Sequence, residues 1–233
     1  MSGFIERLRA FEFKCQEHMA EFKCPVHLCL GQEEVPAVLH ENLRPEDWLF
    51  STHRNHGHYL AKGGSEQKLW DEILGLESGV NAGWAGSQCF SDPSINFHAT
   101  AIVGGLIGIA VGTALSLKLA RNPGIVVCCI GDGATEQGVF WESLNFVATQ
   151  KIPIVFICEN NGYSVHAPLA CRQEGSIASK VRAFGVPPFN HTAAALGYVR
   201  QREGGAAFVE VECQRECNHV GNMPDFRTSD DLR

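Results

Sequence analysis

The fold of this chain is decided by residues 125–161, which read IVVCCIGDGATEQGVFWESLNFVATQKIPIVFICENN. Two apolar, strand-like runs, residues 125–130 and 154–158, each lead into a polar motif: Gly131-Asp132-Gly133 after the first and Asn160-Asn161 after the second. An amphipathic segment with helical spacing lies between the two runs. This order predicts two neighbouring parallel strands joined by a helix. The expected fold class is therefore α/β, a parallel sheet flanked by helices.

Asp132 and Asn161 are expected to lie side by side, because the carboxyl ends of parallel strands meet at one edge of the sheet, where open α/β sheets hold ligands. One carboxylate and one amide oxygen are too few ligands to enclose a bare ion. They suit Mg²⁺, which takes its remaining ligands from phosphate oxygens and water. The sequence therefore predicts a phosphorylated cofactor that is anchored through Mg²⁺.

Length and composition indicate one domain over residues 1–233. The chain has 233 residues, of which 45% are hydrophobic and 19% charged, and this argues against a largely disordered protein. The net charge of −7 comes without a basic stripe, so nucleic acid is not an expected partner. The ten cysteines show no framework spacing, and the N-terminus has no apolar signal segment. Both features indicate reduced thiols and a cytoplasmic protein.

The remaining segments supply further elements of an α/β domain. A helical N-terminal extension is expected over about residues 1–45, and a polar, poorly ordered tail at 221–233. Residues 79–97 are rich in Gly, Ser, Asn and Asp and predict a long loop of the kind that is often functional. Helices are expected at residues 4–22, 32–42, 68–76, 136–150, 176–184 and 193–203, and strands at 48–51 and 207–212.

Residues 101–117 carry no charge and allow two interpretations. Their length is at the short edge of a membrane span, and Gly104, Gly108 and Gly112 fall at the four-residue spacing that membrane helix pairs use. The alternative is a buried helix that packs very closely against another helix or chain. A soluble strand–turn–helix pattern follows directly and favours the alternative, so no membrane is expected as a partner.

The segment GDGATEQGVFWESLNFVATQKIPIVFICENNGY, residues 131–163, resembles the thiamine diphosphate signature of the alpha subunits of 2-oxo acid dehydrogenases, in their decarboxylating first component. Residues 22–63, 97–115 and 211–221 are similar to further segments of the same family. The resemblance implies the parallel-sheet fold that binds the pyrophosphate of the cofactor. Compared with the family, the chain is shortened, chiefly between Pro168 and Phe208.

The resemblance implies thiamine diphosphate and Mg²⁺ as cofactors and assigns residues to both. Asp132 and Asn161 would bind Mg²⁺ through their side chains, and Tyr163 through its backbone carbonyl. Gly133 and Ala134 would offer backbone N–H groups to the diphosphate at the start of a helix, where unpaired amides and the helix dipole favour an anion.

Four further residues are implied as cofactor contacts. Arg54 would hold the diphosphate, which a guanidinium does with two hydrogen bonds. His53 stands where the family has a tyrosine and keeps a polar ring there. Ala101 and Val103 match positions whose backbones contact the aminopyrimidine ring.

Three histidines are the candidate catalytic residues that the resemblance implies. His27 matches a histidine near the reacting carbons, His219 one that touches the diphosphate and the reaction intermediates, and His56 the histidine of an Arg-x-His-Gly segment. Imidazoles titrate near neutrality and suit proton transfer around a decarboxylating carbon. The alternative for each is an ordinary loop or core histidine.

The implied activity is decarboxylation of a 2-oxo acid, followed by transfer of the acyl group to a lipoyl carrier. The cofactor carries the chemistry, and the protein supplies position and electrostatics. In this family, the glutamate that activates the cofactor lies on a separate beta subunit with the pyrimidine domain, and this chain has no second α/β domain to supply it. The implied partners are therefore a beta subunit, in an α₂β₂ assembly, and a lipoyl acyltransferase or carrier.

Two other functions remain open. One is a subunit of a split transketolase-like or acyloin-forming carboligase, which would use the same half-site with an aldehyde acceptor. The other is a non-catalytic, shortened subunit that binds neither cofactor. A structural zinc site is a further alternative, at His53-x-x-His56-x-His58 or at Cys213-x3-Cys217-x-His219, although neither spacing is a strong zinc signature.

Overall fold

A computed structural model describes residues 1–201, 205–221, 223–225 and 227 of the chain. The helices in this part are α1 (Ser2–Glu17), α2 (Glu34–Asn42), α3 (His56–Ala61), α4 (Glu66–Leu74), α5 (Ile107–Leu119), α6 (Gly138–Gln150), α7 (Ile177–Ala183) and α8 (Thr192–Arg200). The strands are β1 (Trp48–Ser51), β2 (Ser91–Asp92), β3 (Phe97–Ala99), β4 (Val126–Gly131), β5 (Ile154–Asn160), β6 (Tyr163–Ser164), β7 (Ala167–Pro168), β8 (Pro188–Phe189) and β9 (Ala207–Glu212).

Seven of the strands form one sheet in the order β2-β3-β1-β4-β5-β9-β8, and β6 and β7 form a separate hairpin. All neighbours in the sheet run parallel, except that β2 and β3 are antiparallel. The predicted α/β class, a mostly parallel sheet with flanking helices, is confirmed. Gly131 at the end of β4 pairs with Glu159 near the end of β5, so the two polar motifs begin at one edge of the sheet.

Helices cover both faces of the sheet. Along β4, Val127 and Cys129 point to one face, with buried side chains of α1, α2, α3, α4 and α8. Val126, Cys128 and Ile130 point to the other face, with α5, α6 and α7. Because successive side chains of a strand alternate between faces, a strand covered on both sides reads as a continuous apolar run, as β4 does.

The N-terminal helices belong to this packed core. Leu8 and Phe11 of α1 and Leu39 of α2 are 0–2% exposed and contact the first of the two core clusters. A single domain over residues 1–233 stays a prediction. Within the tail expected to be poorly ordered, residues 222, 226 and 228–233 lie outside the described residues. Arg227 is described and donates to the carbonyls of Arg215 and Cys217 at 2.6 and 2.7 Å.

In the glycine-rich segment 101–117, the helix begins further along the chain than the uncharged run of residues suggests. Residues 101–106 are turns, with Gly104 at a φ of +76°, and α5 begins only at Ile107. The helix buries one face within this chain, whereas Gly108, Ile109 and Gly112 are exposed on the other, so close packing of that glycine face against another chain stays a prediction. No helix in the described ranges has both the length and the apolar character needed to cross a membrane.

Candidate functional site

A cleft of about 770 Å³ opens at the carboxyl ends of β4 and β5. This volume includes space that is open to solvent, and the cleft lies where open α/β sheets hold ligands. The sequence-predicted residues that line it are His53, Arg54, Val103, Asp132, Gly133, Ala134, Asn161, Tyr163 and His219. His27 lies directly beside it, with its ring centroid 4.5 Å from that of His53 and 4.9 Å from that of His219.

The floor of the cleft is the turn that follows β4. The chain passes from Gly131 into a short 3₁₀ helix, Asp132–Glu136, before α6. The N–H groups of Gly133 and Ala134 lie in the first turn of this helix, where backbone donors have no partner within the helix. A β-carbon at Gly133 would lie 2.9 Å from Ser164 Oγ, so a larger residue there would force the Ser164 side chain of the β6–β7 hairpin to move. These amides fit a diphosphate.

Residues with oxygen ligands for a hard cation line the cleft beside this turn. Asp132 is 2% exposed, and its carboxylate accepts a hydrogen bond from Arg172. Asn161 donates from Nδ2 to Gln32 Oε1 at 3.1 Å and accepts at Oδ1 from the Tyr163 N–H, also at 3.1 Å. These two bonds identify which atom of the Asn161 amide is the oxygen, and they leave Oδ1 a second lone pair that can bind a cation. One carboxylate, one amide oxygen and a nearby backbone carbonyl are ligands that Mg²⁺ accepts.

Two buried arginines give the cleft an uncompensated positive charge. Arg54 is 6% exposed and donates to the carbonyls of Leu28 and His219; Arg215 is 1% exposed and donates to the carbonyl of Val165 at 3.2 Å. Among the described residues, neither arginine has a carboxylate within ion-pair distance, and Arg215 Nε has no hydrogen-bond partner. Buried charges are normally paired, so this pair fits an anionic ligand.

Burial shifts the pKa values of two cleft residues, Arg215 and Glu159, and the positive charge of the two arginines remains after both shifts. Burial, and then the neighbouring Arg227 and Arg54, lower the pKa of Arg215 to about 10, so it remains charged at neutral pH. Burial raises the pKa of Glu159 to about 8, and this carboxyl is therefore mostly protonated at pH 7 and does not neutralise Arg54. The sequence interpretation missed Arg215; its only signal was its position four residues before His219 in the segment that follows β9.

Three clustered histidines are neutral at pH 7. Burial, with neighbouring positive groups, lowers the pKa of His27 to about 2, of His53 to about 3 and of His219 to about 4. Their ring nitrogens lie within 4.8 Å of one another. His219 Nδ1 accepts from Arg215 at 3.1 Å and His27 Nδ1 is 2.7 Å from Gln88 Nε2, so the proton of each ring is on Nε2. His219 and His27 thus offer N–H donors, which suit an anion better than a metal ion.

Besides His27, which lies next to the cleft, two predicted site residues do not line it. His56 is fully buried, with Nδ1 2.7 Å from Glu12 Oε1 and Nε2 2.8 Å from Ser87 Oγ. Its catalytic role stays a prediction that this position does not favour. Ala101 does not line the cleft either, and its N–H donates to Cys89 Sγ at 3.2 Å.

Neither zinc pattern is assembled. Of the described His, Cys, Asp and Glu side chains, only His27, His53 and His219 group closely enough to hold a metal ion. His58, which the first zinc pattern requires, instead has its Nδ1 2.8 Å from Ser51 Oγ.

One rim of the cleft is apolar and uncovered. Ile102 is 69% exposed and Val103 48%, and both line the cleft. The exposed face of α5 continues from this rim through Gly108 and Ile109, the latter 57% exposed. Large aliphatic side chains exposed beside a binding cleft are typical of a surface that another chain covers.

Comparisons with known proteins agree with this geometry. Residues 6–191 match the protein family described as "Dehydrogenase E1 component". The alpha subunit of acetoin:2,6-dichlorophenolindophenol oxidoreductase from Bacillus subtilis (strain 168) is 35% identical over an aligned length of 242 positions, and the alignment covers 96% of this chain and 72% of the relative. The alpha subunit of the pyruvate dehydrogenase E1 component from Porphyra purpurea is 35% identical over 173 residues, which cover 70% of this chain and 50% of the relative.

A solved structure is similar in fold. The X-ray structure of a protein described as a thiamin diphosphate-dependent enzyme, from Mycobacterium smegmatis, matches with a TM-score of 0.54 and 21% sequence identity. The match covers 83% of this chain and 34% of that one. The chain therefore spans between about a third and about three quarters of these proteins.

Proposed function

Since this chain belongs to the dehydrogenase E1 component family, as an alpha subunit, we propose that it is the thiamine diphosphate- and Mg²⁺-binding part of a heteromeric 2-oxo acid dehydrogenase. The assembly decarboxylates a 2-oxo acid and passes the acyl group to a lipoyl carrier. One observation carries the proposal: Asp132 and Asn161 line a cleft whose two buried arginines, Arg54 and Arg215, have no ionised partner among the described residues. A cytoplasmic location stays a prediction from the sequence.

The residues of the cleft divide into two sets by charge. Asp132 and Asn161, with the carbonyl of Tyr163, provide the oxygens for Mg²⁺. Arg54 and Arg215 provide positive charge for a diphosphate, together with the first-turn amides after β4. Negative charge on one side and positive charge on the other would suit a divalent cation and a diphosphate held in the same cleft.

The neutral histidines hold protons at defined atoms. His219 and His27 carry their protons on Nε2, because each Nδ1 faces an N–H donor. When bound, the thiazolium of the cofactor supplies the electron sink for decarboxylation. His219 and His27 then donate hydrogen bonds to oxygens on which negative charge develops, and the low pKa of each imidazole keeps it a donor without adding positive charge.

A beta subunit completes the site in this proposal. The carboxylic acids that line the cleft within the described residues are Asp132, which is assigned to the metal, and Glu159, which is buried and mostly protonated at pH 7. Neither is available to activate the pyrimidine ring. The exposed rim at Ile102 and Val103 is the surface that the partner would cover, in an α₂β₂ assembly.

The decisive experiment is reconstitution. The purified chain is assayed for release of CO₂ from pyruvate and from branched-chain 2-oxo acids, alone and with its candidate beta subunit. Release that requires both chains, thiamine diphosphate and Mg²⁺, and that disappears with Asp132→Asn, is the expected result. Turnover by the isolated chain would contradict the requirement for a partner. Failure of the complete assembly to bind thiamine diphosphate would leave only the non-catalytic alternative.

A second candidate substrate is a ketol. The similarity to the acetoin oxidoreductase subunit runs over 96% of this chain, whereas that to the pyruvate dehydrogenase subunit runs over 70%. The same cleft would then cleave the carbon–carbon bond beside the carbonyl group of acetoin. With 2,6-dichlorophenolindophenol as electron acceptor, release of acetaldehyde from acetoin, without release of CO₂ from pyruvate, would identify the ketol as the substrate.

A further inference from the structure

The carboxylate assigned to the metal already has a cationic partner in this chain. Arg172 donates through Nη2 to Asp132 Oδ2 and through Nη1 to Glu136 Oε1. Its side chain is only 9% exposed, and its Nε donates to the carbonyl of Ala167 at 2.9 Å. The guanidinium is therefore held at three points, one of which is the carboxylate at the floor of the cleft.

The segment that carries Arg172 is seated on the metal-binding end of the cleft. It begins at the end of β5 with Asn161 and includes the β6–β7 hairpin. Next to Arg172, Gln173 Nε2 donates to Thr135 Oγ1 at 2.6 Å and to the carbonyl of Asp132 at 3.3 Å. The same segment thus supplies two of the assigned metal ligands, Asn161 and Tyr163, and the arginine that faces the third.

A divalent cation and the guanidinium compete for this carboxylate. Mg²⁺ lies about 2.1 Å from its oxygen ligands, so an ion on Asp132 would stand within about 4 to 5 Å of the Arg172 guanidinium in its present position. Like charges at that distance repel strongly in a buried site. Glu136 offers the arginine a second carboxylate, 32% exposed, to which it can remain bound when it leaves Asp132.

We propose that Arg172 is the internal counter-ion of Asp132 in the metal-free chain, that binding of the divalent cation displaces it, and that Glu136 retains it after displacement. This inference rests on the proposed function, because it requires Asp132 to be a metal ligand. Its consequence is that Arg172 sets the metal affinity of the site while keeping the buried carboxylate paired before the cofactor arrives.

The test measures the binding of Mn²⁺ to the full chain at a fixed, saturating concentration of thiamine diphosphate, with free Mn²⁺ read by electron paramagnetic resonance. Arg172→Gln removes the competing charge and is expected to bind Mn²⁺ about tenfold more tightly or better, the effect of one hydrogen bond to a charged group. Arg182→Gln is the matched control, since Arg182 is an exposed arginine of α7 away from the cleft, and its affinity should equal that of the parent chain.

Two further variants keep the proposal testable. Glu136→Gln removes the second carboxylate and should weaken Mn²⁺ binding, but it should have little effect in the Arg172→Gln background, because Glu136 acts through the arginine. Arg172→Lys keeps the positive charge, but its single ammonium group cannot contact Asp132 and Glu136 at the same time. Its affinity for Mn²⁺ should lie between those of the parent and Arg172→Gln, and it replaces Arg172→Gln if that variant does not fold. After treatment with chelator, Arg172→Gln should also melt at a lower temperature than the parent, since Asp132 has lost its partner.

The outcomes separate this inference from the proposed function. If the parent binds Mn²⁺ and Arg172→Gln binds it equally or more weakly, Arg172 is not a competitor, and the proposed function stands. If Glu136→Gln weakens Mn²⁺ binding as much in the Arg172→Gln background as in the parent chain, the role given to Arg172 is also wrong. If neither the parent nor Arg172→Gln binds Mn²⁺, or if Asp132→Asn binds it as well as the parent, both the inference and the metal site fall.

Discussion

Replacement of Arg215 by methionine should have opposite effects on the stability of the cofactor-free chain and on cofactor binding. Arg215 is 1% exposed and has no ion-pair partner among the described residues, and its pKa is lowered to about 10 by burial. At about 1.36 kcal/mol per pH unit, the charged guanidinium costs the folded chain at most about 3 kcal/mol, a limit that includes repulsion from Arg227 and Arg54 and is lowered by solvent screening. Methionine fills a similar volume with a flexible apolar side chain that carries no charge.

The net gain in stability is smaller than this cost. Arg215 donates to the Val165 carbonyl and to His219 Nδ1, and loss of two such bonds costs about 1 to 2 kcal/mol in total. We therefore expect Arg215→Met to raise the free energy of unfolding of the cofactor-free chain by up to about 2 kcal/mol. Thiamine diphosphate should bind about ten- to a hundredfold more weakly, because its diphosphate loses a charged donor.

Urea denaturation, followed by circular dichroism with and without thiamine diphosphate and Mg²⁺, measures both effects, since a ligand that binds only the folded chain raises its unfolding free energy. Arg200→Met is the matched control. Arg200 donates from both Nη atoms to the fully buried carboxylate of Asp47, at 2.6 and 3.1 Å, so its loss should destabilise the chain by about 3 kcal/mol with or without cofactor. The reasoning fails if Arg215→Met destabilises the cofactor-free chain as Arg200→Met does, or if it leaves the stabilisation by cofactor unchanged.

Three more outcomes are expected. Because the pKa of His53 is low in the folded chain, only the unfolded chain binds a proton at this residue as the pH falls below about 6.5, and the free energy of unfolding therefore declines from pH 7 to pH 5. His53→Gln should reduce this decline by about 2 kcal/mol in urea titrations at the two pH values. An unchanged decline would contradict the buried, neutral state of His53. His56→Gln removes the imidazole that contacts Glu12 and leaves that carboxyl with the Cys29 N–H, so it should cost about 1 to 3 kcal/mol of stability, while thiamine diphosphate binding, measured by calorimetry, stays the same. Weaker binding in a chain of unchanged stability would instead support a role in the site. Phe140→Ala removes a fully buried ring that packs edge-on against Phe156, and it should lower the free energy of unfolding by about 3 to 5 kcal/mol in the same urea assay. A loss below about 1 kcal/mol would show that the surrounding core rearranges to fill the cavity.

The parts of this protein that follow from the sequence are those in which neighbouring segments interact. The apolar runs that became β4 and β5 predicted parallel neighbours, and the register that pairs Gly131 with Glu159 puts Asp132 and Asn161 at one edge, as the sequence implied. This works because a strand, a helix and a strand in direct succession have few ways to pack, and the alternation of apolar residues decides among them. The bounds of the helices were less well predicted, most clearly at α5, where six residues of turn precede the helix.

The sequence by itself thus determined the fold class and the edge of the sheet at which Asp132 and Asn161 lie, whereas only the tertiary structure decided which distant side chains complete the cleft. The hydrogen bond from Arg54 to the His219 carbonyl joins residues 165 positions apart, and it exists because β9 pairs with β5 in the middle of the sheet. The same packing placed His56 in the core against Glu12 and brought Arg172 onto Asp132. No local pattern encodes these contacts, because each depends on the order of strands and on which face a helix buries, which only the assembled core fixes.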